Sequence, residues 1–145
     1  MPLVYDNVDL VWIFRDDFAL GHDGDIADTT YDPLRSLYQE IRTRLKADLG
    51  DWILNKEIGA GMSDYVGEPN NKSTAEALKT RIIGSLTKFG LIASRDLKVS
   101  YIPIDIDKIM FRISIAVAAT AANKSSTELL ISTIYNYSEN NVYIV

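Results

Sequence analysis

The chain has 145 residues, of which 47% are apolar and 24% are charged, and this suits one domain with one sizeable core. The net charge of −5 argues against a general nucleic-acid binder, and the absence of cysteine excludes disulfides and thiolate metal sites. No apolar run approaches the ~20 residues that span a bilayer, and Met1–Asp6 lacks the basic start of a signal peptide, so we expect a cytosolic protein without a membrane partner.

The first 31 residues predict an acidic β-arm. They contain seven aspartates and one basic residue, Arg15. Residues 8–14 are β-branched and aromatic, as in a strand, and Asp23-Gly24 is a tight-turn signal. The acids form either a solvated surface or a face for a basic partner. No internal repeat, low-complexity tract or linker is apparent in the chain.

Two amphipathic helices are predicted next. Asp32 is a suitable N-cap and Pro33 fits the first helical position, and apolar residues recur at helical spacing up to Leu49, before Gly50. The second helix is predicted from Ser73, whose spacing to Glu76 is that of a capping box, to Gly90. Its predicted apolar face consists of Ala75, Leu78, Ile82, Leu86 and Phe89.

The C-terminal third alternates like strands of an antiparallel sheet. The alternating sets run over 97–101, 109–117 and 127–137, with turns predicted at Asp107-Lys108 and at 123–126. Residues 142–145 are either a last short strand or a tail that pairs with another chain. The predicted fold class is therefore α+β, with two helices on one side of a mainly antiparallel sheet. We divide the single domain 1–145 into the arm (1–31), the core (32–137) and a C-terminal strand or tail (138–145).

Candidate catalytic and ligand-binding patterns are weak. His22 is the single histidine, the aspartates at 23, 25 and 28 lack the closing glutamate of a calcium loop, and Gly59-Ala60-Gly61 lacks the lysine-serine pair of a phosphate loop. Asp51, Glu57, Asp64 and Glu68 suggest at most a glycosidase carboxylate pair. We predict no catalytic residue, no metal and no cofactor.

Several aromatic residues are candidate anchors of a protein interface, because aromatic side chains dominate buried contacts between proteins. They are Trp52, Tyr65, Tyr135, Tyr137 and Tyr143. For Trp52, a position in the core is an equally good interpretation.

The order of these elements resembles the baseplate wedge family of contractile phage tails. That family includes the T4-type wedge subunit once described as lysozyme-like, its relatives in Mu-like phages and a baseplate subunit of the type VI secretion system. The resemblance covers about residues 16–117. It rests on the acidic opening from Asp17 to Ile26, the helix Leu34–Leu49, the turn Glu57-Ile58-Gly59-Ala60-Gly61-Met62, Asp64-Tyr65-Val66-Gly67, the helix 74–89 and the strand pairs. Ile58 and Met62 depart from the aromatic and leucine of the family motif, and Glu68-Pro69-Asn70 matches the family's glutamate-proline element only in part.

The resemblance implies a structural protein rather than an enzyme. Such a protein lies in the virion, in the tail baseplate assembled in the host cytoplasm, as part of a large symmetric assembly. Its implied partners are other baseplate wedge proteins and the tail sheath protein, with hub or tube proteins as further candidates, and it seeds the first sheath ring by strand exchange at a sheet edge. The predicted partner-binding residues are Trp52, Glu57, Gly59, Gly61, Tyr65, Glu68, Tyr137 and Tyr143.

Two alternatives stay open at this point. One is a peptidoglycan-cleaving enzyme that uses Asp51, Glu57 and Glu68. The other is a generic α+β adaptor unrelated to phage tails.

Overall fold

A computed structural model describes residues 7–13, 17–118 and 127–144. Helix α1 spans Pro33–Lys46 and helix α2 spans Lys72–Thr87. Strands β1 (Leu97–Pro103), β2 (Lys108–Val117), β3 (Thr127–Asn136) and β4 (Asn141–Ile144) form one antiparallel sheet in the order β1-β2-β3-β4. The two helices and this sheet confirm the predicted α+β class. The turn predicted at 123–126 lies outside the described residues.

Helix α1 begins where the sequence predicts but ends earlier. The Asp32 side chain accepts the backbone N–H of Arg35, as an N-cap does. The prediction that the helix continues to Leu49 is wrong, because Ala47 is extended and the chain leaves the helical path there. Leu49 is consequently exposed, and Gly50 takes a positive φ within the following loop rather than closing the helix.

Helix α2 begins one residue before the predicted Ser73. Asn71, rather than a Ser73–Glu76 capping box, caps it by accepting the backbone N–H of Thr74. The predicted apolar face is buried except at Phe89, which follows the helix with a positive φ and is exposed. The apolar periodicity therefore predicts burial correctly inside the helix and wrongly at Phe89, which lies beyond its end.

The core lies between one face of the sheet and the two helices. The strand register places Val99, Ile113 and Ile131 in one row across the sheet. The helices contribute Leu37, Ile41, Leu78 and Ile82, and all four are fully buried. The Tyr135 hydroxyl donates to the Met62 carbonyl at 2.8 Å, so β3 also fixes the short 3₁₀ turn Met62–Tyr65.

The N-terminal arm, described over residues 7–13 and 17–29, is a closed three-segment unit rather than a simple hairpin. The Val11 N–H donates to the Ala27 carbonyl, Ala27 donates to Ala19, and Ala19 donates to Val11, at 2.8, 2.8 and 2.9 Å. Each of these residues is eight positions from the next, and their small side chains suit a centre where three backbones meet. The predicted turn at Asp23-Gly24 is present, with a positive φ at Gly24.

An eight-residue repeat underlies this closure, so the prediction that the chain has no internal repeat is wrong. Its three units begin Asp9-Leu10-Val11, Asp17-Phe18-Ala19 and Asp25-Ile26-Ala27. In every unit the aspartate side chain accepts the backbone N–H of the next residue at 2.8 Å. The carboxylate thus satisfies an amide close to the point where the three segments meet.

Gln39 of α1 fastens the arm to the core. Its side-chain carbonyl accepts the Trp12 N–H at 2.9 Å, and its amide donates to the Leu10 carbonyl at 2.9 Å and to the Asp9 carboxylate at 3.1 Å. Arg35 adds a bond from its guanidinium to the Trp12 carbonyl at 3.2 Å. A nearly buried amide side chain therefore joins the two parts of the domain.

The N-terminal arm and the C-terminal segment are paired within the chain over the described residues. Residues 9–13 are hydrogen-bonded inside the arm, and β4 pairs with β3 through Thr133–Asn136. Of the two interpretations of the C-terminus, the structure therefore shows the last short strand over 141–144.

Candidate interaction surface

The loop that follows α1 carries an apolar tip exposed to solvent. Ile53 is 86% exposed and Leu54 is 100% exposed, with Leu49 and Trp52 about half exposed beside them. An exposed apolar group of this kind is typical of a protein contact site. We refer to residues 49–54 as the apolar tip.

The ends of this loop are held firmly. The Gly50 N–H donates to the Lys56 carbonyl at 2.9 Å, and the Ala60 N–H donates to the carbonyls of Arg44 and Ala47 at 2.9 and 3.1 Å. The returning chain thereby satisfies carbonyls at the end of α1 that have no partner within the helix.

Gly59 permits this close return. Its φ is +131°, and a Cβ placed on it would lie 2.7 Å from the Ala47 carbonyl oxygen. Gly61 also has a positive φ, of +62°, but the nearest atom to its added Cβ belongs to the end of the Arg81 side chain rather than to the backbone. Both predicted glycines are buried, so they shape the loop and are not themselves exposed to a partner.

Trp52 lies at the surface rather than in the core, which decides between the two interpretations of this residue. It borders a cavity of about 480 Å³ on the outer side of α1, together with Trp12 of the arm, Arg42 and Lys46. Glu57 and Glu68, the two predicted acidic residues, are both exposed, and Tyr65 is half-buried.

Tyr65 belongs to a cluster that fixes the chain after Gly61. The Arg81 guanidinium lies 5.3 Å from the centroid of the Tyr65 ring and 2.9 Å from the Asp64 carboxylate. It also donates to the Gly61 carbonyl at 3.2 Å. These contacts give Tyr65 a structural explanation that the sequence did not suggest.

Tyr137 is a core residue, so its prediction as a surface anchor needs correction. It is 2% exposed, and its ring packs edge-on against Tyr135 with the centroids 5.1 Å apart. Its hydroxyl has no hydrogen-bond partner among the described residues. Desolvation by burial raises the pKa of both tyrosines to about 12. Tyr143, by contrast, is 46% exposed on the outer face of the sheet, and its hydroxyl donates to Glu139 at 3.2 Å.

Tyr143 ends an apolar row that sequence reasoning missed. The register aligns Ile102, Met110, Ile134 and Tyr143 across all four strands on the face opposite the helices. Ile102 and Tyr143 are about half exposed at the two ends. The signal in the sequence was an apolar residue at one outward-facing position of each strand.

The arm adds a second apolar surface. The second residue of each repeat unit, Leu10, Phe18 or Ile26, is 40–45% exposed, because the small third residue occupies the centre. The described part of the arm therefore presents large apolar side chains to solvent.

A wider groove of about 1000 Å³ runs between α1 and β4. Its floor and walls combine apolar and basic side chains of α1 with four consecutive residues of the strand. The residues that line it are Trp12, Ile13, Asp32, Leu34, Arg35, Tyr38, Gln39, Arg42, Lys46, Leu129, Asn141, Val142, Tyr143 and Ile144.

The acids of the hydrolase alternative do not meet in the cavity beside Trp52 or in the groove between α1 and β4. Asp51 borders the cavity beside Trp52, and its carboxylate accepts the Asp48 N–H at 2.8 Å, which fixes the helix end. Glu57 and Glu68 line neither that cavity nor the groove between α1 and β4. Over the described ranges, no three His, Cys, Asp or Glu side chains are grouped to hold a metal ion, and no helix is long and apolar enough to cross a bilayer.

Comparison with known proteins gives one informative result. No protein-family model and no curated protein matches the chain. Among solved structures, a chain of the anti-feeding prophage (AFP) baseplate, from a cryo-EM structure with 6-fold symmetry imposed, matches with a TM-score of 0.54 and 18% sequence identity. The match covers 92% of this chain and 90% of that chain, so the similarity of fold extends over nearly the whole of both.

Proposed function

We propose that this chain is a structural baseplate protein of a contractile phage tail or a phage-like contractile particle. The observation that carries the proposal is the similarity of fold to a chain of the anti-feeding prophage baseplate over 92% of this chain. A match of that coverage concerns nearly the whole of both chains rather than one common motif.

The finer role that we propose is that of a wedge subunit. It joins other wedge proteins and offers a sheet edge to the tail sheath protein, so that the first sheath ring starts by strand exchange. The protein would then reside in the tail baseplate of the virion, after assembly in the host cytoplasm, with hub or tube proteins as further neighbours.

The surface is suited to such a role. Large apolar side chains are exposed at the apolar tip, on the arm and on the outer face of the sheet, as a subunit with several neighbours requires. Asp51, Glu57 and Glu68 do not come together in the cavity beside Trp52 or in the groove between α1 and β4.

Cryo-EM of the assembled particle tests the location. We expect density for this chain in the baseplate, in contact with sheath or wedge subunits. Density elsewhere in the particle, or absence from a purified complete particle, contradicts the proposal.

The apolar tip provides a matched functional test. The double variant Ile53→Ser, Leu54→Ser removes exposed side chains only, so we expect the free energy of unfolding to change by less than about 0.5 kcal/mol. Assembly of complete tails, counted by electron microscopy, should fall severalfold. Ile106→Ser is the control, because Ile106 is 87% exposed on a loop of the sheet; equal assembly by both variants would exclude the tip as a contact.

A further inference from the structure

The outer face of the sheet carries positive charge although the protein is acidic. By the alternation of the described strands, three cations point to this face, Lys98, Lys108 and Arg112, against one carboxylate, that of Glu128. The Ser114 hydroxyl already donates to the Glu128 carboxylate. The chain as a whole has a net charge of −5. This local reversal of sign favours an acidic partner surface.

One of these cations lies beside the apolar row that crosses the outer face. Met110 and Arg112 are alternate residues of β2, so their side chains point to the same face about 6.7 Å apart. Arg112 is exposed, and the register places it between Ser100 and Ser132, whose side chains are short. Within the described residues Arg112 has no ion-pair partner. The outer face therefore combines exposed apolar area with an accessible cation.

The arm has the complementary composition. Its described residues include five aspartates, all exposed, and neither lysine nor arginine. Leu20 and Ile26 pair across the arm and are 73% and 45% exposed, and the side chains of such a pair lie on the same side. Asp28 is two residues after Ile26, so its carboxylate lies on that side too. The arm thus repeats, with the opposite charge, the spacing of Met110 and Arg112.

The arm is held away from the outer face of its own sheet. Gln39 fastens it to α1 by three hydrogen bonds, and α1 packs on the inner face of the sheet through Leu37 and Ile41. A contact between an arm and an outer face therefore joins two copies of the chain. Because the two surfaces are different, such contacts run head to tail and build rings or open chains.

We propose that the outer face of the sheet binds the arm of a second copy of this chain, with Leu20 and Ile26 against the apolar row and Asp28 beside Arg112. The contact joins side chains on a sheet face, adds no strand to a sheet edge and needs no other protein. The inference therefore goes beyond the proposed function, and each of the two can fail without the other.

Self-association of the full chain, followed by NMR, tests this inference. When the protein concentration rises from micromolar to millimolar, we expect amide shifts over the arm and over the outward positions of β1, β2 and β3. Leu20→Ser removes an exposed apolar side chain and should reduce both sets of shifts. Phe89→Ser is the control, because Phe89 is 58% exposed after α2 and lies on neither surface. Absence of shifts, shifts of the arm alone, or an equal effect of the two variants would overturn the proposal.

Charge reversal provides a second measurement, by sedimentation equilibrium. Arg112→Glu should weaken self-association roughly three- to tenfold. Adding Asp28→Lys to this variant should restore most of the loss, because the two side chains then attract each other with exchanged signs. Lys72→Glu, at the exposed start of α2, changes the net charge equally and should leave self-association unchanged. Equal weakening by Arg112→Glu and Lys72→Glu, or no recovery in the double variant, would count against the contact.

Other outcomes identify a different occupant or a different failure. Density of another protein over the outer face in the assembled particle would assign this face to that protein and overturn the proposal. Self-association through the arm by a chain that is absent from the baseplate would leave the contact intact and remove the proposed function. Presence in the baseplate without self-association of the purified chain would do the reverse.

Discussion

The arm and strand β2 have similar sequence patterns but differ in how far their apolar side chains are buried. Both have apolar residues at regular positions among polar ones, yet Ile109, Phe111, Ile113 and Ile115 of β2 are completely buried while Leu10, Phe18 and Ile26 of the arm are 40–45% exposed. Strand β2 lies between two other strands and under two helices. The arm closes on itself around three small residues and leaves its large ones outside. Local pattern thus decides that a segment is extended, and tertiary packing decides whether its apolar side chains stabilise the fold or remain for a partner.

The largest effect should come from matched truncations in the two regions. Phe111→Ala removes a fully buried ring, so we expect a loss of about 3–5 kcal/mol in the free energy of unfolding, measured by urea denaturation. Phe18→Ala should cost about 1 kcal/mol or less, because its ring is already 45% exposed. Similar losses of the free energy of unfolding in the two variants would contradict the distinction between core and arm.

The next effect should come from the loop that carries the apolar tip. Gly59→Val places a Cβ 2.7 Å from the Ala47 carbonyl at a φ of +131°, and we expect a loss of about 2–3 kcal/mol. Gly61→Val meets only the end of the Arg81 side chain, so its loss should be smaller, about 1–2 kcal/mol. Urea denaturation of both variants checks the order, and a larger loss at Gly61 would contradict it.

A local effect should follow from releasing the arm. Gln39→Leu removes one accepted and two donated hydrogen bonds to the arm, so amide hydrogen exchange over residues 9–29 should become roughly tenfold faster or more while exchange in the sheet stays the same. Gln39→Glu keeps the acceptor for the Trp12 N–H but brings a carboxylate towards that of Asp9. Its exchange rates over the arm should therefore lie between those of the unchanged protein and those of Gln39→Leu. Faster exchange throughout the sheet would mean that the arm is part of the cooperative core.

The smallest effect at neutral pH should come from the buried tyrosines. Tyr137→Phe removes a hydroxyl without a described partner, so its free energy of unfolding at pH 7 should be unchanged or slightly higher. Tyr143→Phe, at an exposed site, is the control.

At alkaline pH the two buried tyrosines should make the free energy of unfolding depend on pH. The pKa of Tyr135 and of Tyr137 rises from 10.0 to about 12 on folding. Between these values the unfolded chain loses protons that the folded chain keeps, so stability is complete below pH 10 and falls as pH rises towards 12. Urea denaturation at several pH values should show this fall, and Tyr137→Phe should reduce its slope.

The sequence predicts the elements of the core well because their causes are local. Asp32-Pro33 marks the start of α1, and strict alternation marks β2 and β3. The same alternation places Tyr135 and Tyr137 on one face of the chain, where both are buried, so the interpretation of these two tyrosines as interface anchors was wrong. At Leu49 the helical pattern continues past Ala47, where contacts with the returning loop replace the helix.

The arm and the surface were harder to predict because their causes are not local. The eight-residue repeat shares only an aspartate, an apolar residue and a small residue between its units. Its structural role becomes visible only when the three segments hydrogen-bond to one another. The position of Trp52 depends likewise on where the loop returns to α1. The proposed contact residues Trp52, Glu57, Glu68 and Tyr143 are exposed, while Gly59 and Gly61 belong to the supporting backbone.

The hydrogen bonds of Ala60 to the end of α1 have a consequence for association. They immobilise the base of the loop in the free protein, so much of the backbone entropy of this segment is lost during folding rather than during encounter with a partner. In the proposed contact, Ile53 and Leu54 are therefore preorganised, and a substitution at Gly59 should weaken assembly although Gly59 itself is buried within the chain.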